Sequence, residues 1–108
     1  MKTGTGGGSF VGLEQTGSEI PNDFSLSQNY PNPFNPSTNI SFDIPQASNV
    51  RLAVYNILGK EVMLIANEIL SAGKYNVSID ASDLPSGTYF YRLEAGSFTS
   101  TKKMILIK

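Results

Sequence analysis

The stretch Thr88-Tyr89-Phe90-Tyr91-Arg92-Leu93-Glu94-Ala95 decides the fold. Tyr89, Tyr91 and Leu93 fall at every second position, with Thr88, Phe90, Arg92 and Glu94 between them. Successive side chains of an extended chain point to opposite faces, so this spacing predicts a strand with one face on a core. Gly96-Ser97 then makes a tight connection, and a last strand is predicted from Phe98 to about Ile107. On the upstream side, Asp80-Ala81-Ser82-Asp83-Leu84-Pro85-Ser86-Gly87 is rich in residues that satisfy their own backbone in turns. Before it, Tyr75, Val77 and Ile79 alternate with Asn76, Ser78 and Asp80.

The same period recurs further upstream. Ile40, Phe42 and Ile44 form one apolar row, ended by Pro45, and Val50, Leu52 and Val54 form another, with Arg51, Ala53 and Tyr55 facing the other way. Asn56 to Lys60 turns the chain, and Ala72-Gly73 marks another turn. The solid run Val62-Met63-Leu64-Ile65 predicts a strand covered on both faces, with a helical turn as the rival reading. No helix of ordinary length is visible. Roughly seven strands at 8 to 12 residue spacing predict an all-β, immunoglobulin-like antiparallel β-sandwich.

Composition limits the chemistry. The 108 residues include no Cys and no His, which removes thiolate nucleophiles, Cys/His zinc sites, imidazole bases and disulfides together. No catalytic, cofactor or metal residues are expected, and the chain is read as a non-enzyme. Eight Lys plus Arg against nine Asp plus Glu leave no global field to draw in nucleic acid or an anionic membrane. No apolar stretch approaches the ~20 residues of a membrane-spanning helix. The start, Met1 to Ser9, lacks the apolar centre of a signal peptide. Up to Pro21 only Phe10, Val11, Leu13 and Ile20 are apolar, without period. Residues 1–21 are therefore expected to be a flexible linker or an expression remnant, residues 22–108 the domain, and any export signal to lie further upstream.

The most unusual stretch is Leu26-Ser27-Gln28-Asn29-Tyr30-Pro31-Asn32-Pro33-Phe34-Asn35-Pro36-Ser37-Thr38. Three prolines within six residues forbid a central strand. The interleaved Asn side chains can bond local backbone, and Tyr30 and Phe34 are expected to plug the segment onto the end of the sandwich as a rigid lid; a binding loop is the other reading. Tyr89, two residues after Gly87, has the placement of a tyrosine corner, or is a core aromatic with its hydroxyl at the rim.

This segment is followed in order by Val50-Arg51-Leu52-Ala53-Val54-Tyr55-Asn56-Ile57-Leu58-Gly59, Ala72-Gly73, Ser86-Gly87-Thr88-Tyr89-Phe90-Tyr91-Arg92-Leu93 and Thr101-Lys102-Lys103-Met104-Ile105-Leu106-Ile107-Lys108. From about Phe24 to Lys108 the chain resembles the type A C-terminal sorting domain of the type IX secretion system. The resemblance implies a cargo protein of the Bacteroidetes and related phyla, delivered to the periplasm by an ordinary signal peptide. It implies as partners the translocon that carries the cargo across the outer membrane, an upstream cargo domain, and a cysteine-protease sortase that removes the domain. The cargo would then be released or anchored at the cell surface.

It also implies a signal role for Gly73, Gly87, Tyr89, Lys102, Lys103 and Lys108. Three of the eight basic residues lie in the last seven positions, so the last strand is locally cationic. A receptor could read that charge with an open strand edge by β-augmentation, or the lysines could only guard the edge against aggregation. Gly73 and Gly87 also read as turn glycines needing positive φ.

Weaker constellations remain. Asp80 and Asp83 read as turn caps rather than a carboxylate pair or calcium site. Asn39-Ile40-Ser41 and Asn76-Val77-Ser78 match the glycosylation sequon but fall in predicted strands. Tyr55, Phe90 and Arg92 share a face on which aromatics could stack on a sugar, which makes an accessory polysaccharide-binding or adhesion module the alternative function.

Overall fold

The alternating runs become strands of two facing antiparallel sheets. A computed structural model describes residues 9–17 and 19–108. Its strands are β1 (Ser9–Gly17), β2 (Ser25–Leu26), β3 (Ser37–Ile44), β4 (Ser48–Tyr55), β5 (Glu61–Leu70), β6 (Gly73–Asp80), β7 (Gly87–Ala95) and β8 (Phe98–Leu106). One sheet has the order β1-β6-β3-β2 and the other β5-β4-β7-β8. The chain changes sheet between β3 and β4, returns between β5 and β6, and changes again between β6 and β7, so it is an immunoglobulin-like β-sandwich. The expected rows meet in the middle: Ile40, Phe42, Ile44, Val77 and Ile79 from one sheet face Val50, Leu52, Val54, Tyr91 and Leu93 from the other, all buried. Phe42 and Tyr75 are register partners, with rings stacked at 5.4 Å.

Eight strands stand where about seven were expected. Among the strands without an alternating run are β1, paired along β6, and β2, paired along β3 and only two residues long. Of the segment 1–21 read as a flexible linker, residues 1–8 and 18 lie outside the described residues, while Ser9–Gly17 is the β1 strand.

β5 is a strand and not a helical turn. Leu52 pairs with Ala66 and Ala53 with Leu64, which leaves Ile65 as an extra residue; Val62 is extra in the same way between Met63 and Glu61. Each bulge resets the period, so Met63, Ile65 and Ala66 are all buried while Leu64 turns outward. The solid apolar run therefore reflects a broken register.

The proline-rich segment departs most from expectation. It closes the seam between the sheets along one side as well as the end. Leu26 belongs to the first sheet, through the β2 pairing with β3. Eight residues later Phe34 belongs to the second: its N–H donates to Ile105 O at 2.9 Å and its carbonyl accepts from Ile107 N at 2.8 Å, a parallel bridge to β8. Between them the Tyr91 hydroxyl donates to Ser27 O at 2.7 Å. Phe24 stacks on Phe98 at 5.3 Å further along the same seam. Buried Asn29 donates to Pro31 O and to Thr38 Oγ1, and the Thr38 hydroxyl donates to Pro31 O, so the polar groups inside the segment are satisfied.

Phe34 is the plug the sequence suggested, but Tyr30 is not: it is held by backbone bonds to Asn39 and its side chain is 80% exposed. Replacing Phe34 with Ala should therefore cost about 3 to 5 kcal/mol in urea unfolding, a large share of the stability of such a domain. Tyr30→Ala should stay within about 0.5 kcal/mol of wild type.

Candidate recognition surface at one end of the sandwich

Five of the six residues singled out for a signal role lie on the adjacent strands β7 and β8 or just beyond: Gly87, Tyr89 and Lys108 toward one end of the molecule, Lys102 and Lys103 near the middle of β8. Gly87 pairs with Leu106 and Tyr89 with Met104, where β7 begins and β8 finishes. Lys108 follows β8 and its ammonium donates to Ser82 O in the β6–β7 turn. Gly73 is apart from them, at the opposite end, where it opens β6 opposite Ile44.

Tyr89 is a tyrosine corner: its hydroxyl donates to Pro85 O at 2.6 Å, four residues upstream. The bond fixes the turn Ala81–Gly87 against β7, and that turn is further capped by Asp80, whose Oδ1 accepts from Ser82 N at 2.9 Å. Gly87 has φ of 154° with open space where a Cβ would stand, so only backbone strain opposes a side chain there. Gly73 has φ of 155°, and a Cβ there would collide with the Gln15 side-chain amide.

The two adjacent lysines face opposite ways. Lys102 shares its parity with buried Met104 and Leu106 and is half-buried on the inner side of the edge strand, paired with Tyr91. Lys103 is exposed on the outer face, paired with Phe90. An inward charge on an edge strand opposes pairing with a second chain.

β8 is an edge strand, as β-augmentation requires, but half of its edge is already occupied. Its outward backbone groups belong to the odd-numbered residues. Lys103 O accepts from Gln28 Nε2 at 2.7 Å, Ile105 N donates to Asn32 Oδ1 at 3.0 Å, and Phe34 takes Ile105 O and Ile107 N. The outward groups of Thr99 and Thr101 have no hydrogen-bond partner among the described residues. Gln28 and Asn32 escaped the sequence reading because their partners lie more than 70 residues away. The only linear hint was a row of amide side chains set between prolines.

On the outer face of the second sheet, Tyr55 is enclosed by cations. Arg51 and Arg92 each donate to its hydroxyl at 3.1 Å, the Arg92 guanidinium lies 4.9 Å over its ring, Arg51 is paired with Glu61, and Arg92 with Glu94 at 3.0 Å. A sugar stacking on this ring would compete with the Arg92 guanidinium. The two sequons interlock on the other sheet: Ser78 donates to Asn39 Oδ1 at 2.8 Å and Asn76 to Ser41 Oγ at 3.2 Å.

Residues 28–108 match the family of secretion system C-terminal sorting domains. The chain belongs to that family. A sorting domain of this family is a C-terminal signal for type IX secretion, and the family is not an enzymatic one. It implies a Bacteroidetes source, an upstream cargo, a type IX secretion system and export to the cell surface or beyond. No curated protein and no solved structure matches the chain. Among the described residues of the sorting domain, no helix is long and apolar enough to cross a membrane. The match begins at Gln28, whose side chain bonds Lys103 O on the edge of β8.

Burial pushes the Tyr91 phenol up to about 12, against a smaller opposing effect from the Asn29 backbone N–H. Burial also raises Tyr89. A phenol that holds its proton more tightly when folded contributes stability fully below its unfolded value near 10, and that contribution is lost as pH rises from about 10 toward 12. The unfolding free energy from urea titrations should fall across this window by up to about 1.4 kcal/mol per pH unit from Tyr91, and Tyr91→Phe should flatten the fall. Gly87→Ala should cost roughly 1 to 3 kcal/mol in the same measurement, through strain alone.

Proposed function

We propose that this domain carries an upstream cargo across the outer membrane through the type IX translocon. A signal peptide on the upstream sequence delivers the cargo to the periplasm. The translocon then reads the end of the sandwich formed by Gly87, Tyr89 and the β8 lysines, and a sortase-like cysteine protease cuts before Asn22. The cargo is released or anchored at the surface. The observation that carries this reading is the family match over residues 28–108, which spans the seam segment and strands β3 to β8 as one unit.

Within that unit Lys103 and Lys108 are exposed, Lys108 held at Ser82 O, and both can meet a receptor without disturbing the core. Gly87 and Tyr89 act by holding the turn that positions Lys108. Gly73, at the far end, acts through the fold, since it permits the bend into β6.

The test is a signal-peptide-bearing reporter fused to this domain in a type IX host. Removing residues 103–108 is a poor variant, because it also takes Met104 and Leu106 out of the core. Lys103→Glu with Lys108→Glu leaves the core intact. The reporter should appear outside the cell, and the double substitution should hold it in the periplasm with an unchanged melting temperature. A wild-type fusion retained in the periplasm would overturn the function; unchanged export of the double variant would overturn the role of the lysines.

A further inference from the structure

The β4–β5 turn presents two large aliphatic side chains to water. Ile57 is 70% exposed and Leu58 86% exposed, and neither packs on the core. The turn itself gives no reason for them. Asn56 Oδ1 accepts from Leu58 N and Lys60 N, Asn56 O accepts from Gly59 N, and Asn56 N donates to Lys60 O, so four hydrogen bonds centred on Asn56 fix the loop. Polar residues at the two tip positions would serve such a turn as well. Single exposed apolar residues are ordinary on a protein surface, but an adjacent pair on a rigid tip presents preorganised apolar area at little cost in chain entropy.

The tip lies at the same end as the residues described above. Tyr55 pairs with Phe90, and Phe90 with Lys103, so extending this register places Leu58 level with Gly87 and Leu106. Ile107, 49% exposed, lies beyond β8 about two strand spacings away, roughly 10 Å. Lys60 follows the tip within the turn, Lys108 follows Ile107, and Lys103 stands three residues before Leu106 on β8; among the described residues none of the three is in an ion pair. Of the carboxylates at this end, Glu61 is paired with Arg51, and Asp80 and Asp83 flank Ser82, whose carbonyl accepts from Lys108, so the surplus cations are Lys60 and Lys103. The end is thus apolar at its tip and cationic at its rim.

We infer that Ile57 and Leu58 dock into an apolar pocket rimmed by carboxylates on the outer-membrane translocon. Lys60, Lys103 and Lys108 meet the rim and the turn enters the pocket. This rests on the sorting function proposed above and extends its contact surface from β8 to the β4–β5 turn. Complementary charge favours this occupant over a second copy of the chain, whose own tip would bring like charges together.

The experiment immobilises the full 108-residue chain and measures binding of the detergent-solubilised type IX outer-membrane translocon. Ile57→Ser with Leu58→Ser should weaken binding at least tenfold, and Lys60→Glu at least threefold. Ile69→Ser, which removes a side chain 76% exposed toward the opposite end of the sheet, should change it less than twofold. Melting temperatures of all variants should agree, since none of the side chains is buried. Wild-type affinity in the double variant would overturn the inference while leaving the sorting function standing; no binding by the wild type would overturn both. If the double variant instead abolished self-association in sedimentation with translocon binding intact, the tip would be a contact between copies and the inference would fall.

Discussion

One backbone contact holds the two sheets in register along their open side: the bridge in which Phe34 lies between Ile105 and Ile107. A sandwich of two four-stranded sheets has hydrophobic faces that attract without direction, and its edges are where water and other chains enter. Here a single segment leaves the first sheet at Leu26, hangs on the Tyr91 hydroxyl at Ser27 and joins the second sheet at Phe34. The fully buried side chains Phe34, Tyr91, Met104 and Leu106 are thereby enclosed from the side. Three prolines keep this segment from becoming an ordinary strand, and amide side chains supply the hydrogen bonds that proline nitrogens cannot.

Where one face is buried and the register unbroken, the sequence announces the structure. β3, β4, β6 and β7 are such strands, and their alternating residues are the core. β5 hides its nature because two bulges shift the phase within five residues. β2 hides its nature because two residues are too few to show a period. Phe34 and Tyr30 looked alike in the sequence, and only the three-dimensional path of the segment separates a plug from an exposed ring. The turn glycines and the corner tyrosine were legible as local chemistry. The opposite facing of Lys102 and Lys103 follows from strand parity alone.

The candidate site was legible in its parts and not in its assembly. Cationic residues near the end of the sequence suggested a readable strand, and the structure shows that strand to be half covered along its edge. What stays open is the polar edge at Thr99 and Thr101, the lysines, and the turn that Tyr89 braces through Pro85. Recognition of a folded end by charge and shape asks less of the strand edge than pairing along its whole length would. It also leaves the edge protected, since a long bare edge invites aggregation.

The seam joins some of the earliest residues of the matched region to the latest: Gln28 meets Lys103 across 75 positions of chain. Such contacts form only after the intervening loop has closed, which makes them late and dependent on the complete chain. A nascent or broken chain that stops before β8 has no partner for Phe34 and an open core. The closed seam therefore reports that the chain through β8 has been made and folded. A signal displayed by this sandwich certifies a folded domain as well as an address.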